Sequence, residues 1–369
     1  MKTNPRHLLM ASLAVFAIAG CDRPPKPDVA KETSGQAPMT KAAAPVSDEE
    51  KKLNIFGWSE YIPQDVIDQF TEETGIKVSV ENYASNEEML AKLLAGGGTY
   101  DLIQPSEYVI EGLAKENLLV PIDHAAIPNL KNIAPEFLNM SFDPGNKFTV
   151  PYMAGTVGIV VNTDLVKDDI KSFNDVFVEK NKKNIVVLDD AREIVTWALL
   201  TQKLPINDIN DASLEKVKPI LSQWIPLVKV FDSDSPKTAL INGDVAIGVV
   251  WGGEGAILLN TDKKFKWVIP SEGTHLFVDS LAIPKTAKHP KNAEAFMNFV
   301  LRPDISKKIS DVFPYLNPNM AARELLTPEQ RANVASFPTA DEIAKMQTFK
   351  DIGSQASQVD ETITTLKAQ

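Results

Sequence analysis

Aromatic rings and carboxylates recur in this chain at one kind of place, just outside short apolar runs. Trp58 and Tyr61 follow the first such run and flank Ser59 and Glu60. Ser106 and Tyr108 follow another run, Asp190 and Glu193 a third, and Trp251 a fourth, with Glu254 just beyond it. Phe277 and Asp279 stand immediately before a fifth run, which starts at Ser280. A carboxylate pairs with an ammonium through charge-assisted hydrogen bonds. An aromatic face attracts a cation by about 0.5–2 kcal/mol and covers methylene groups at about 25 cal/mol per Å². A flexible alkyl diamine or triamine calls on both. An anion would meet the wrong charge, and a neutral sugar would not need so many acids.

Taken singly, each residue has a second reading. Asp190 and Glu193 also form a D-x-x-E capping box. Trp58 and Trp251 could be core residues at strand ends, Tyr108 the exposed edge of its helix, and Asp279 a cap or a lysine partner. Trp197, Trp224 and Trp267 have apolar neighbours and no adjacent acid, and are assigned to packing. The set carries more weight than its members.

The elements that must position these residues alternate strand and helix. Leu53 to Trp58 reads as a buried strand. Pro63 opens a helix with an apolar face of Val66, Ile67 and Phe70, and Gly75 closes it. Lys77 to Tyr83 alternates as a strand. Ser85 to Glu88 is a capping box, with Met89, Leu90, Leu93 and Leu94 behind it and Gly96 to Gly98 as the stop. Asp101 to Gln104 is a third strand, and a helix from Ser106 to Asn117 follows. This order predicts a mainly parallel sheet. Further strands are predicted at Val157–Val161, Ile185–Leu188, Val245–Val250, Phe265–Ile269 and Ser280–Ile283. Helices are predicted at Asp190–Gln202, Lys291–Leu301 and Asp304–Asp311. The economical architecture is α/β, with two lobes and a cleft between them. Ligands of such sheets bind beyond the carboxyl ends of strands.

Catalytic signatures are missing. Neither phosphate-cradling glycine motif is present; Trp251-Gly252-Gly253-Glu254-Gly255 is Gly-rich but lacks the lysine. No G-x-S-x-G elbow occurs. His124, His275 and His289 stand apart without metal-ligand spacing and read as surface or hydrogen-bonded residues. No catalytic residue, metal or cofactor is expected.

The N-terminus reads as an address. Lys2 and Arg6 precede an apolar run from Leu8 to Gly20, too short for a bilayer span and right for a signal peptide. The run ends Ile18-Ala19-Gly20-Cys21, which looks like a bacterial lipobox; the chain's single cysteine, Cys21, would be its lipidation site. One cysteine excludes an internal disulfide and a thiolate zinc cluster. Residues 22–50 carry five prolines and no apolar period, a flexible tether with a span of about 30 Å. The net charge of -11 argues against nucleic acid as a partner.

The sequence resembles the periplasmic polyamine-binding proteins, the spermidine/putrescine receptors of ABC transporters. The resemblance runs from about Asn54 to at least Arg323. It is carried by W-S-E-Y (58–61), F-T-E-E-T-G-I-K-V (70–78), S-N-E (85–87), Y-D-L-I-Q-P-S (100–106), P-Y-M (151–153), L-D-D-A-R-E (188–193), D-S-L-A-I-P (279–284), L-R-P-D (301–304) and P-N-M-A-A-R (318–323).

The resemblance implies a type II binding-protein fold whose two lobes close on ligand in the cleft between them. Lobe 1 would hold residues 53–155 and 279–312, and lobe 2 residues 156–278 and 313–369, after a signal peptide at 1–20 and a tether at 21–52. It places Trp58, Tyr61, Tyr108, Trp251 and Tyr315 in the family's aromatic box, with Phe277 where some members have Trp. Asp190, Glu193 and Asp279 match its amine-binding carboxylates, and Ser106 a polar cleft position. Glu60 and Glu254 fall where putrescine-preferring relatives can carry an acid. Phe349 stands where spermidine-binding relatives place a glutamine, which leaves ligand length open.

The implied protein is a monomeric receptor in the periplasm, anchored to the inner membrane by lipid, that delivers a polyamine to an ABC permease. Aspartate after the lipidated cysteine, here Asp22, resembles the signal that keeps lipoproteins of many Gram-negative bacteria on the inner membrane. A polyamine sensor regulating a membrane signalling enzyme would have the same cleft, so the sequence does not separate the two. A periplasmic hydrolase on the same lobes is disfavoured by the missing nucleophile and metal signatures.

Overall fold

The computed structural model describes residues 48–96 and 99–369. The lipobox, Cys21 and the proline-rich stretch to residue 47 lie outside the described residues. Among the described residues nine strands form one sheet: β1 (Lys52–Trp58), β2 (Lys77–Tyr83), β3 (Leu102–Ile103), β4 (Thr149–Asn162), β5 (Ile185–Val187), β6 (Val230–Phe231), β7 (Ile247–Trp251), β8 (Phe265–Val268) and β9 (Leu276–Ala282). Their order is β2-β1-β3-β9-β4-β7-β5-β6, with β8 also paired to β4. Among the described residues no helix is long and apolar enough to cross a membrane.

The outer strands follow the predicted parallel pattern. β1 pairs in parallel with β2 and β3, and β5 with β6 and β7. The middle of the sheet does not: β9 is antiparallel to β3 and β4, and β4 is antiparallel to β7 and β8. The reason is β4. Its first half, Thr149 to Thr156, pairs with β9, and its second half, Val157 to Asn162, pairs with β7 and β8. One fourteen-residue strand therefore passes from one sheet segment to the other, and β8 and β9 return along its edge.

Only the second half of β4 is legible in the sequence, because Pro151 and Gly155 interrupt the strand signal. Pro151 sits where the register slips, a place that tolerates a missing N–H. Gly155 lies under the Phe277 ring; a Cβ there would be 2.4 Å from Phe277 Cζ.

Each segment has its own core. Leu53, Phe70, Val278, Phe296 and Phe299 pack together around β1 and β9, with Phe70 meeting Phe296 edge-on at 5.0 Å. Phe173, Val195, Trp197, Leu221 and Trp224 pack together beside β5 and β7. Trp197, Trp224 and Trp267 are buried, as packing residues should be. The C-terminal helix Gln355–Lys367 adds Val359 and Ile363 to the second core.

At two places the packing joins stretches that the sequence reading keeps apart. Tyr315 and Leu316, expected with the second lobe, sit in the first core, where Leu316 O accepts from Ala154 N at 2.9 Å. Residues 49–52, expected in the tether, are tied down. Glu49 accepts from the first N–H groups of the helix Pro290–Val300, and the Asn292 amide donates to the carbonyls of Glu50 and Lys52. Polar side chains bind this backbone, a tie that hydrophobic periodicity does not report.

Candidate functional site

The two sheet segments flank a cleft. All thirteen residues singled out in the sequence line it: Trp58, Ser59, Glu60, Tyr61, Ser106, Tyr108, Asp190, Glu193, Trp251, Glu254, Phe277, Asp279 and Tyr315. Trp58 ends β1 and Trp251 ends β7. Ser106 stands at the N-cap position of the helix Glu107–Lys115 after β3 without a side-chain cap bond, and Asp190 caps the helix Ala191–Thr201 after β5. Phe277 and Asp279 do not precede a strand, as the sequence suggests. They lie inside β9, which starts at Leu276. Being two apart, they share one face of that strand, the face that lines the cleft.

Asp279 is 3% exposed, and hydroxyls hold both of its carboxylate oxygens. Ser106 Oγ donates to Oδ1 at 2.6 Å and Tyr61 Oη donates to Oδ2 at 2.7 Å. These supports are themselves fixed. Asn86 Nδ2 reaches both Ser106 Oγ and Tyr108 Oη at 3.0 Å, and Tyr152 Oη donates to Tyr61 O at 2.7 Å. Among the described residues no lysine or arginine pairs with Asp279. Burial pushes its pKa up to about 7, against the hydroxyl hydrogen bonds that favour the charged form.

Asp190 and Glu193 divide in role. Asp190 Oδ1 caps its helix by accepting from Glu193 N at 2.9 Å. Burial and the nearby Glu193 push the Asp190 pKa up to about 7. The return half of the predicted capping box is missing, because Glu193 turns inward. Its Oε1 meets His275 Nδ1 at 2.6 Å and its Oε2 accepts from Trp197 Nε1 at 3.1 Å. Glu193 therefore borders the cleft with both oxygens already engaged.

Of the two readings for His275, surface or hydrogen-bonded, the second holds. It is buried between two carboxylates, with Nε2 at 2.8 Å from Glu107 Oε1. Burial alone would lower its pKa, but Glu193 and Glu107 outweigh that and push it up to about 9. Charged, it donates from both nitrogens. Glu107 also accepts from the backbone N–H groups of Val278 and Phe349. Phe349 stacks on His275 with centroids 3.6 Å apart and lines the cleft.

Glu60 and Glu254 meet a cation from the chain itself. Lys237 Nζ donates to Glu60 Oε2 at 2.7 Å and to Glu254 Oε1 at 2.9 Å. Burial outweighs this pairing at Glu254 and raises its pKa. Glu60 adopts the left-handed backbone region with φ 52, a conformation uncommon for a side chain of its size. The same loop also hydrogen-bonds across the cleft from Ser59 to Asp234.

Aromatic rings wall the space between these acids. Trp58 and Tyr61 lie 6.4 Å apart, Tyr61 and Tyr315 5.4 Å, and Trp251 meets Phe277 edge-on at 5.5 Å. Each indole is anchored by its N–H, Trp58 to Gln104 O and Trp251 to Ser233 O, both at 2.9 Å. Gly253 leaves room for Tyr315; a Cβ there would lie 2.3 Å from its ring. The sequence reading missed Asn86, Glu107, Arg192, Asp234, Lys237 and the pairing of His275. Asn86 and Arg192 stand in the quoted S-N-E and L-D-D-A-R-E runs, but no spacing rule links the others to the cleft. Among the described residues no cluster could hold a metal ion.

The fold and cleft define an extracytoplasmic solute-binding protein: two α/β segments joined by crossing strands, with a polar and aromatic cleft between them. The chain belongs to the bacterial extracellular solute-binding protein family, whose profile matches residues 65–339. It is 36% identical over 337 residues to the spermidine/putrescine-binding periplasmic protein of Salmonella typhimurium, covering 91% of this chain and 97% of that one. The spermidine/putrescine ABC transporter substrate-binding protein of Streptococcus pneumoniae is similar in structure, with TM-score 0.74 and 36% identity over 86% of this chain and 99% of that one. A lipoprotein of Treponema pallidum is similar at TM-score 0.77 and 25% identity, over 86% of this chain and 100% of that one.

Proposed function

We propose that this protein is the periplasmic receptor of an ABC transporter for linear polyamines of the putrescine and spermidine class. The observation that carries the reading is Asp279. It is a buried carboxylate that pairs with no lysine or arginine among the described residues, held by two hydroxyls and set among Trp58, Tyr61, Trp251, Phe277 and Tyr315. A ligand ammonium supplies the missing charge, and the rings cover the methylenes beside it. Asp190 serves a second ammonium. Relatives named for spermidine and putrescine support the ligand class. The receptor carries out no chemistry on its ligand.

Lobe 1 gathers β1, β2, β3, β9 and the first half of β4; lobe 2 gathers β5 to β8 and the rest of β4. Ligand touching both lobes favours the closed arrangement by population shift. The receptor acts as a monomer, tethered to the inner membrane through lipid on Cys21, and hands its cargo to a permease there. The likeness to a lipoprotein supports the anchor. Calorimetric titration with putrescine, spermidine and lysine tests the reading. Saturable binding of the polyamines but not of the amino acid is expected. A folded protein that gives no heat with either polyamine overturns it.

A further inference from the structure

Lys237 opens the short helix Lys237–Ile241 on the β7 side of the cleft, with its side chain 15% exposed. An ammonium has three N–H donors, and here each has an acceptor. Nζ reaches Glu60 Oε2 at 2.7 Å, Glu254 Oε1 at 2.9 Å and Ser235 Oγ at 3.0 Å. The Lys237 backbone N–H also donates to Glu254 Oε2 at 3.2 Å. Glu60 follows β1 and Glu254 follows β7, so the ammonium joins acids from opposite sides of the cleft. Asp279 and Asp190 differ: among the described residues neither pairs with a lysine or arginine.

We propose that Lys237 is a built-in substitute for one ligand ammonium, and that it sets the cleft to prefer a diamine over a triamine. This inference rests on the polyamine reading above. Asp279 and Asp190 remain to receive ammonium groups from outside; the one other unpaired acid of the cleft lining among the described residues, Asp234, accepts from Ser59 and stands three residues before Lys237. A third ammonium would have to sit beside Lys237, where like charges repel, or displace it from two acids, one of them buried. Either route penalises the longer, more charged amine. Glu60 and Glu254 then act as the counter-charges of Lys237 and not as direct ligands of the substrate.

The test titrates the full-length chain, in detergent, with putrescine and with spermidine at one pH and salt concentration. The wild type should bind putrescine at least tenfold more tightly. Lys237→Met removes the charge and keeps most of the stem, and should shift the ratio of the two dissociation constants at least tenfold toward spermidine. Lys237→Arg should keep the wild-type ratio. Glu60 is 45% exposed, so Glu60→Gln should fold even if Lys237→Met does not. It leaves Lys237 less neutralised and should move the ratio further toward putrescine. A folded Lys237→Met with an unmoved ratio, a wild type preferring spermidine, or a Glu60→Gln ratio unmoved or shifted toward spermidine each overturns the proposal while leaving polyamine binding intact. Absence of binding to either amine by the wild type sinks the polyamine reading as well.

Discussion

Tyr61 donates its phenolic hydrogen to Asp279 across 2.7 Å, joining the loop after β1 to the centre of β9 over 218 positions of sequence. The bond does two things. It satisfies one oxygen of a buried carboxylate, and it holds the Tyr61 ring beside the place where that carboxylate would meet a cation. The acid and the aromatic wall are thus one construction.

Replacing the acid should show its weight. Asp279→Asn removes the charge and keeps the size, and leaves one acceptor oxygen where Ser106 and Tyr61 now have two. It should weaken polyamine binding by about 1.5–3 kcal/mol, the scale of a hydrogen bond to a charged group. Tyr61→Phe should cost about 1 kcal/mol, because Ser106 still holds the other oxygen. Calorimetric dissociation constants that do not change in Asp279→Asn would remove Asp279 from the site.

Binding should depend on pH through the same group. Asp279 and Asp190 are both pushed up to about 7 before a cation arrives. A polyamine binds their charged forms, so affinity should fall as pH drops below 7, by roughly tenfold per unit for each group that must ionise. Titrations at pH 5.5 and 8 should differ accordingly, and Asp279→Asn should flatten the profile. Without ligand the sign for stability is opposite. An acid with a raised folded pKa holds its proton longer folded than unfolded, so stability contributed at low pH is lost as pH rises through about 7.

His275 should give the fold a second, alkaline dependence. Its folded pKa of about 9 lies above the ordinary histidine value of 6.5. Its contribution is therefore fully present below 6.5 and is lost as pH rises through about 9. Urea midpoints should fall across that window. His275→Gln should lower stability by about 3–5 kcal/mol at neutral pH, since Glu107 and Glu193 would lose their buried cation. It should also remove the alkaline slope; a slope unchanged in the variant would assign the effect elsewhere.

The tryptophans should separate cleanly. Trp251 ends β7 at the cleft, whereas Trp224 is buried and stacked on Phe177 at 4.3 Å. Trp224→Ala should cost about 3–5 kcal/mol of stability with little change in ligand affinity once folded. Trp251→Ala should weaken binding more than it lowers the melting temperature. Equal effects on binding from the two would mean that Trp251 is a packing residue.

Much of the scaffold was legible because burial leaves a periodic trace. The runs at Leu53, Lys77, Ile185 and Phe265 became strands within a residue or two of their expected ends. The habit of α/β sheets to present function just past strand ends pointed to Trp58, Ser106, Asp190 and Trp251. The start of β9 was not legible. Leu276, Phe277 and Val278 are apolar in succession and show no alternation, so the sequence alone places the strand's start only at Ser280. The first half of β4 was hidden by Pro151 and Gly155.

By itself, the sequence determined which residue types stand at the mouths of the strands, and hence that a cationic, partly apolar ligand suits them. Periodicity and local spacing carry that information because it is encoded over a few residues. Only the tertiary structure decided which charges are already spent. Lys237 and Glu60 are 177 positions apart, and His275 meets Glu193 and Glu107 across 82 and 168. A carboxylate in a sequence carries no record of its partner. Whether it faces a ligand or a lysine is settled when the strand crossing at Thr156 and Val157 brings the two halves of the chain together.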